Sequence, residues 1–266
     1  GGAAGDALTT GNSNVAIGYF ALSGEDGNGL NVAVGNRALG SQNAGVDAYN
    51  VAVGNDAGFS VTTGLYNTFI GGDAGKLLTD ADFNTAVGTF ALDKDQLGCR
   101  STALGYAALS TQDFTTATDV YNTAVGFHAG VAVTTGAQNT IVGGLAGDAL
   151  TVGQNNVAMG VAALSSDVGG SRTVAIGRGA LEAQNQGSSD TNAHNTAIGY
   201  GAGASVTTGK HVTIVGALAG DALTSTEYTT AFGSDALGSE TAGTLSTAIG
   251  YAAAFSQNVT SGATGN

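Results

Sequence analysis

Hydrophobic and polar positions along this chain follow one five-residue phrase. It is written NVAIG at Asn14, NVAVG at Asn31 and Asn50, NTAVG at Asn84 and Asn122, NTAIG at Asn195 and STAIG at Ser246. Fourteen glycines close its copies, from Gly18 to Gly250, and ten of the thirteen gaps between them equal the step from Gly18 to Gly35. That step is a 17-residue repeat. The three longer gaps run from Gly35 to Gly54, from Gly105 to Gly126 and from Gly177 to Gly199. Gly1 stands one ordinary step before Gly18 and marks a fifteenth unit. The second position is always β-branched, the third is Ala except at Phe69, Ile141 and Ile214, and the fourth is always apolar. Ala returns three residues after every closing glycine, from Ala21 to Ala253.

Period-two alternation carried by Val, Ile and Thr is a strand signal. It sets the second and fourth positions on one face and the small Ala and Gly on the other. A strand of about five residues leaves room in each unit for a second short strand, around the AL or AG dipeptides, and for two turns. Asn or Ser at the first position and Gly at the fifth suit those turns. Each unit is therefore expected to be one coil of an all-β parallel β-solenoid of about 15 coils. A helical solenoid would show periods of three and four, and glycine at this density would penalise helices throughout.

A slower period overlies the first. AGFSVTTG at Ala57, AGVAVTTG at Ala129 and AGASVTTG at Ala202 recur at nearly equal intervals. One unit after each come AGKLLT at Ala74 and AGDALT at Ala146 and Ala219, matched by AGDALT at Ala4, and the following two units carry AL instead. Four coils thus make an expected super-repeat, at about 54–125, 126–198 and 199–266. The long gaps fall at its end, before Gly54, Gly126 and Gly199. This puts the insertions on one edge, about 19 Å apart at about 4.8 Å per coil.

Composition narrows the class. The chain has 45 glycines, no proline, one methionine and 42% hydrophobic residues in regular places, which excludes collagen and ordinary disorder. No apolar run approaches a membrane span. A formal charge of −13 opposes nucleic acid and anionic membrane as partners. The lone Cys99 rules out an internal disulfide framework. The chain begins and ends within a repeat and reads as one repetitive segment, residues 1–266, of a longer protein.

The AIG, AVG or ALG pentad followed by Ala three residues on resembles the coil repeat in heads of YadA-like trimeric autotransporter adhesins. The NTAIGY…AG…TTG wording, as at Asn195–Gly209, is similar to repeats in phage tail fibres and related bacterial surface fibres. The resemblance spans Gly1 to about Phe255 and implies a left-handed parallel β-roll with three chains around one axis. It further implies an extracellular structural or adhesive fibre on a virion or bacterial surface, with a host glycan or protein as receptor. Trimerisation also has a physical argument. A thin coil buries little apolar area through Ala and Gly, and pooling the Ile/Val columns of three chains supplies more.

Candidate chemistry is sparse. GGLAGDALT at Gly143 and GGAAGDALT at Gly1 approach the calcium β-roll nonapeptide, but Ala146 and Ala4 stand where its fourth position needs glycine. GGDAGKLLT at Gly71 lacks the first glycine and the Ser/Thr of a phosphate-binding loop. His128, His194 and His211 share no ligand spacing, with two at different places in their coils, and no catalytic set can be nominated. Asn258 opens a glycosylation sequon. Threonine rows occur on ice-binding solenoids, but here Thr shares its column with Val and its face with Ile, so burial in the core is expected. The TTG pairs recur too sparsely for an ice face.

The expected function is a non-enzymatic, trimeric fibre shaft without cofactor or metal. The alternative is a monomeric solenoid binding ice, calcium or a small ligand. The junction loops Ser41–Tyr49, Ser110–Tyr121 and Glu182–His194 are expected to be free of the stacking constraint. They carry the candidate lateral contacts Asp47, Tyr49, Asp113, Asp119, Tyr121, Asp190 and His194.

Overall fold

A computed structural model describes residues 1–256 of the chain; the sequon at Asn258 lies outside them. The described residues are all-β, a parallel β-solenoid with one three-residue strand per pentad, and they form two compact units that divide between Thr135 and Gly136. The first unit contains β1 (Val15–Ile17), β2 (Val32–Val34), β3 (Val51–Val53), β4 (Thr68–Ile70), β5 (Thr85–Val87), β6 (Gly98–Cys99), β7 (Thr102–Leu104), β8 (Thr118–Asp119) and β9 (Thr123–Val125). The second contains β10 (Thr140–Val142), β11 (Val157–Met159), β12 (Gly170–Ser171), β13 (Val174–Ile176), β14 (Thr191–Asn192), β15 (Thr196–Ile198), β16 (Thr213–Val215), β17 (Thr230–Phe232) and β18 (Thr247–Ile249).

Within each unit the pentad strands pair in parallel and in perfect column register. Val51 lies on Thr68, Ala52 on Phe69 and Val53 on Ile70, and the same correspondence continues along each unit. The expected second strand at AL or AG is absent. The chain turns there through residues at positive φ, and the coil keeps its ladder by turn-to-turn hydrogen bonds. Leu22 N–H donates to Ala38 O, Gly58 N–H to Ala74 O and Gly75 N–H to Ala91 O, each at 2.9 Å.

Each coil turns three corners in the left-handed backbone region. In the coil of β4 these are Tyr66 just before the pentad (φ 58°), Asp73 two residues after its glycine (φ 57°) and Gly75 two residues further (φ 59°). We call them the entry, exit and third corners. Except at Ala254 the third corner holds either Gly or Leu, and that choice is compensated three residues later. Where Leu92 or Leu109 fills the interior from the corner, Asp95 or Gln112 is the buried residue that follows. Where the corner is Gly58 or Gly75, Val61 or Leu78 enters instead. The larger strand residues Phe69, Ile141 and Ile214 all lie in coils with a third-corner glycine, and a Cβ at Gly75 would run into the Phe69 ring. Interior volume is thus conserved coil by coil, as close packing requires.

The interior is built from the third pentad position, the Ala after the glycine, the Leu or Val just described, and the first pentad position. The Asn of that first position does not serve a turn. Asn50, Asn67 and Asn84 are fully buried, and the Oδ1 of each accepts the backbone N–H of the first pentad residue one coil on, at 2.8 Å. The Nδ2 groups of Asn67 and Asn84 donate to Ala81 O and Gly98 O. The same ladder runs through Asn139, Asn156 and Thr173 in the second unit.

The second and fourth pentad positions point away from this interior. The expected core burial of the threonine column is therefore not met within the chain: Thr68, Thr85 and Thr102 are half-buried, and Thr140, Thr213 and Thr247 are exposed.

Adjacent glycines give a sharp test of the register. Gly71 closes a pentad at φ +131°, and a Cβ there would sit 2.6 Å from the carbonyl carbon of Gly88, whereas a Cβ on Gly72 meets only the Thr89 methyl at 3.9 Å. Gly71→Ala is expected to destabilise by at least about 2 kcal/mol, because strain and backbone overlap add. Gly72→Ala should change stability by less than about 0.5 kcal/mol. Thermal or denaturant unfolding of the two variants checks this, and equal effects would contradict the register.

Candidate functional site

The outward strand face is the most distinctive surface. Its fourth-position residues are exposed in part or largely, with Ile17 at 58%, Ile70 at 40%, Met159 at 39% and Phe232 at 54%. None of the fourteen pentads places a charged residue at its second or fourth position, although the chain carries −13. Strand geometry makes their outward direction unavoidable: side chains alternate, and the interior has already taken the first and third positions.

The two corners bounding this face carry aromatic side chains in part, while Arg37, Asp56 and Asp73 make successive exit corners of the first unit charged. Entry corners of successive coils in the first unit hold Tyr49, Tyr66, Phe83, Arg100 and Tyr121. Their rings stack as the coils stack: Tyr49 on Tyr66 at 5.4 Å, and Tyr66 on Phe83 at 5.2 Å with 4° between planes. The Arg100 guanidinium lies 4.8 Å from the Phe83 ring centre and 6.0 Å from that of Tyr121. Beside the exit corners, Tyr106 stacks on Phe127 at 5.6 Å. In the second unit the entry corners include His194, His211 and Tyr228, stacked at 5.2 and 4.9 Å. His194 and His211 therefore occupy the same place in consecutive coils, a relation that their separation by one ordinary repeat already contained.

The junction loops are pinned to the coils, contrary to the expectation that they escape stacking. The loop ending at Tyr121 contributes β8, which pairs with β6, and the loop ending at His194 contributes β14, which pairs with β12. A buried carboxylate anchors the base of these two loops. Asp95 Oδ1 accepts the N–H groups of Gly98 and Phe114, and Gln112 Nε2 donates to Asp95 Oδ2 at 2.5 Å. Asp167 repeats this with Gly170, Gln186 and Gln184. In the first loop region Glu25 Oε2, Asn31 Nδ2 and Gln42 Nε2 are buried without a hydrogen-bond partner. Asn31 stands there in the place held by Ser101 and Thr173, whose hydroxyls accept from Gln112 and Gln184 in the other two clusters.

The residues expected as lateral contacts divide into two groups. The four aspartates are engaged by their own chain. Asp47 accepts from Gly29 N–H (2.9 Å), Asp113 from Gln96 (3.0 Å) and Asp119 from Arg100 (2.8 Å). Asp190 accepts from Gln154 and from the Ser171 hydroxyl, within a polar notch lined also by Asn155, Arg172 and Asn192. Tyr49, Tyr121 and His194 belong instead to the entry-corner columns. Those columns bring Tyr49 and Tyr121 onto one ladder through Tyr66, Phe83 and Arg100. The signal was the residue preceding each pentad, read down the chain.

Among the described residues no group of three or more His, Cys, Asp or Glu could hold a metal ion, and no helix is long and apolar enough to cross a membrane. Burial pushes the Cys99 thiol up, which disfavours the thiolate. In the first TTG pair the hydroxyls of Thr63 and Thr62 donate to Asp80 at 2.6 and 2.8 Å and hold its carboxyl below the ordinary range. Compared with family models, with curated proteins and with solved structures, the chain finds no match in any of the three.

Burial pushes the Asp95 carboxyl above the ordinary carboxylate range, and the hydrogen bonds from Gln112, Phe114 and Gly98 only partly counter it. Between the ordinary value near 4 and the raised one, the folded state holds more protons than the unfolded state, so stability falls as pH rises. Wild type should therefore lose stability relative to Asp95→Asn as pH climbs from about 4, with a constant difference below that pH. Paired melting curves from pH about 3 to 8 check this; a difference flat across the range would contradict it.

Proposed function

We propose that this chain is a shaft segment of an extracellular homotrimeric fibre, of the phage tail-fibre or bacterial surface-adhesin kind. In this reading the solenoid is a left-handed β-roll with its four-coil super-repeat as the building unit. The shaft spaces and presents receptor-binding regions, with a host-surface glycan or protein as receptor. The observation that carries the reading is the uncharged, half-exposed Val/Thr–Ile/Val strand face, continuous along each unit.

The physical argument is one of charge and burial. Copies bearing −13 each repel, and they can approach only where neither presents carboxylates. The strand face is that place. Joining it across copies removes from water the apolar area the coil interior cannot reach. Parallel copies turned about a common axis extend the solenoid without an end to the contact, which suits a load-bearing shaft.

Native mass or scattering on the chain should give three copies. Val87→Lys, which places a charge in the middle of the first unit's face, should drive the assembly toward single chains. A folded, stable single chain of the wild type at micromolar concentration would overturn the proposal.

A further inference from the structure

Nearly all the exposed large apolar side chains of the described residues lie on the strand face or at its two bounding corners; Val46, Leu77 and Phe255 are the exceptions. The apolar surface is therefore wider than the strands and has two unlike rims. The entry rim of the first unit is the Tyr49–Tyr121 ladder; the exit rim is charged at Asp56 and Asp73, which pair with Arg37 and Lys76, and becomes apolar further on at Phe90, Tyr106 and Phe127.

We infer that these rims are the two halves of one contact: the entry corner of each chain packs on the exit corner of the next, at the same coil height. This rests on the trimeric reading above and adds to it the surfaces that meet and their polarity. Rotating identical chains about an axis parallel to the solenoid brings the left rim of one face against the right rim of its neighbour. Such a ring interface is heterologous, joining two different patches of the same chain. An antiparallel arrangement would instead join entry to entry and exit to exit.

At the coil of β9 both rims have apolar area to bury. The entry rings of Tyr49, Tyr66 and Phe83 lie nearly parallel and cover one another's faces, so the rim presents ring edges. Phe127 is 55% exposed and Tyr121 is 52% exposed, so both keep area for a partner. Phe127 stacks on Tyr106 and His128 and so presents an edge as well, and the contact gains chiefly through the apolar area it buries. Tyr121 and Phe127 flank the same strand, β9, at its entry and exit ends. Pure rotation therefore places Tyr121 of one copy beside Phe127 of the next.

The test uses a short bismaleimide and a Cys99→Ser background. The double variant Tyr121→Cys/Phe127→Cys should give covalent two- and three-chain products on a denaturing gel, while each single variant remains single-chain. Single variants that crosslink as well as the double would show like corners meeting and overturn the inference. A three-copy native mass without any crosslink would overturn it while leaving the trimer standing; a one-copy mass would remove both. Should the cysteine variants lose their β-sheet circular dichroism, Phe127→Tyr offers a conservative route. Photo-oxidation should then yield dityrosine in multi-chain products, lost on adding Tyr121→Phe, and persistence of those products after that change would contradict the pairing.

Discussion

Each coil must sit in register on the one before it, and the rest of the structure follows from that stacking. Strand hydrogen bonds, turn-to-turn bonds and the buried asparagine ladder all connect a residue to its counterpart one coil away. A side chain's environment is thus set by its column rather than by its neighbours in sequence. The amides have a particular role, because a buried Asn is costly unless both its carbonyl and its NH2 are satisfied. Asn67 meets that condition through the N–H of Asn84 and the carbonyl of Ala81, both in the next coil. Removing it would leave a buried N–H and a buried carbonyl without partners, which generally costs more than the bond itself contributed.

Column identity also divides the chain's apolar residues. The interior is narrow and accepts Ala, a single Leu or Val per coil, and an amide; where a strand contributes Phe69 or Ile141, the third corner gives up its side chain. The Ile and Val of the fourth position have nowhere inside to go. They form an outward apolar face on a strongly acidic chain, and the aromatic corners widen it. The second and third insertions obey the same logic, since each is fastened at its base by a buried Asp and a short added strand, leaving Thr115–Ala117 and Gly187–Ser189 as exposed tips.

Much of this was legible in the sequence. The repeat length, the strand at each pentad and the division of Val/Ile from Ala/Gly onto two faces follow from periodicity alone. What was not legible turns on backbone conformation. Leu22, Leu92, Tyr66 and Phe83 all sit at positive φ, which an L-residue adopts at a cost of about 1–2 kcal/mol. Sequence patterns assign such corners to Gly or Asn, so AL reads as a strand when it is a turn. Asn at the first position was read as a turn residue for the same reason, and its inward role depends on a partner one full repeat away. The aromatic ladder was legible in principle at the position before each pentad. It was hidden because Arg100 and the inserted loop before Tyr121 break its spacing and its residue type.

The central claim is that the strand face is completed by further copies of the chain, so that folding and association are coupled. Mass action then makes apparent stability depend on concentration. The direct measurement is the unfolding midpoint across a hundredfold range of chain concentration. A midpoint that rises steadily with concentration is the predicted result. A midpoint independent of concentration, with a reversible single-chain transition, would contradict the account.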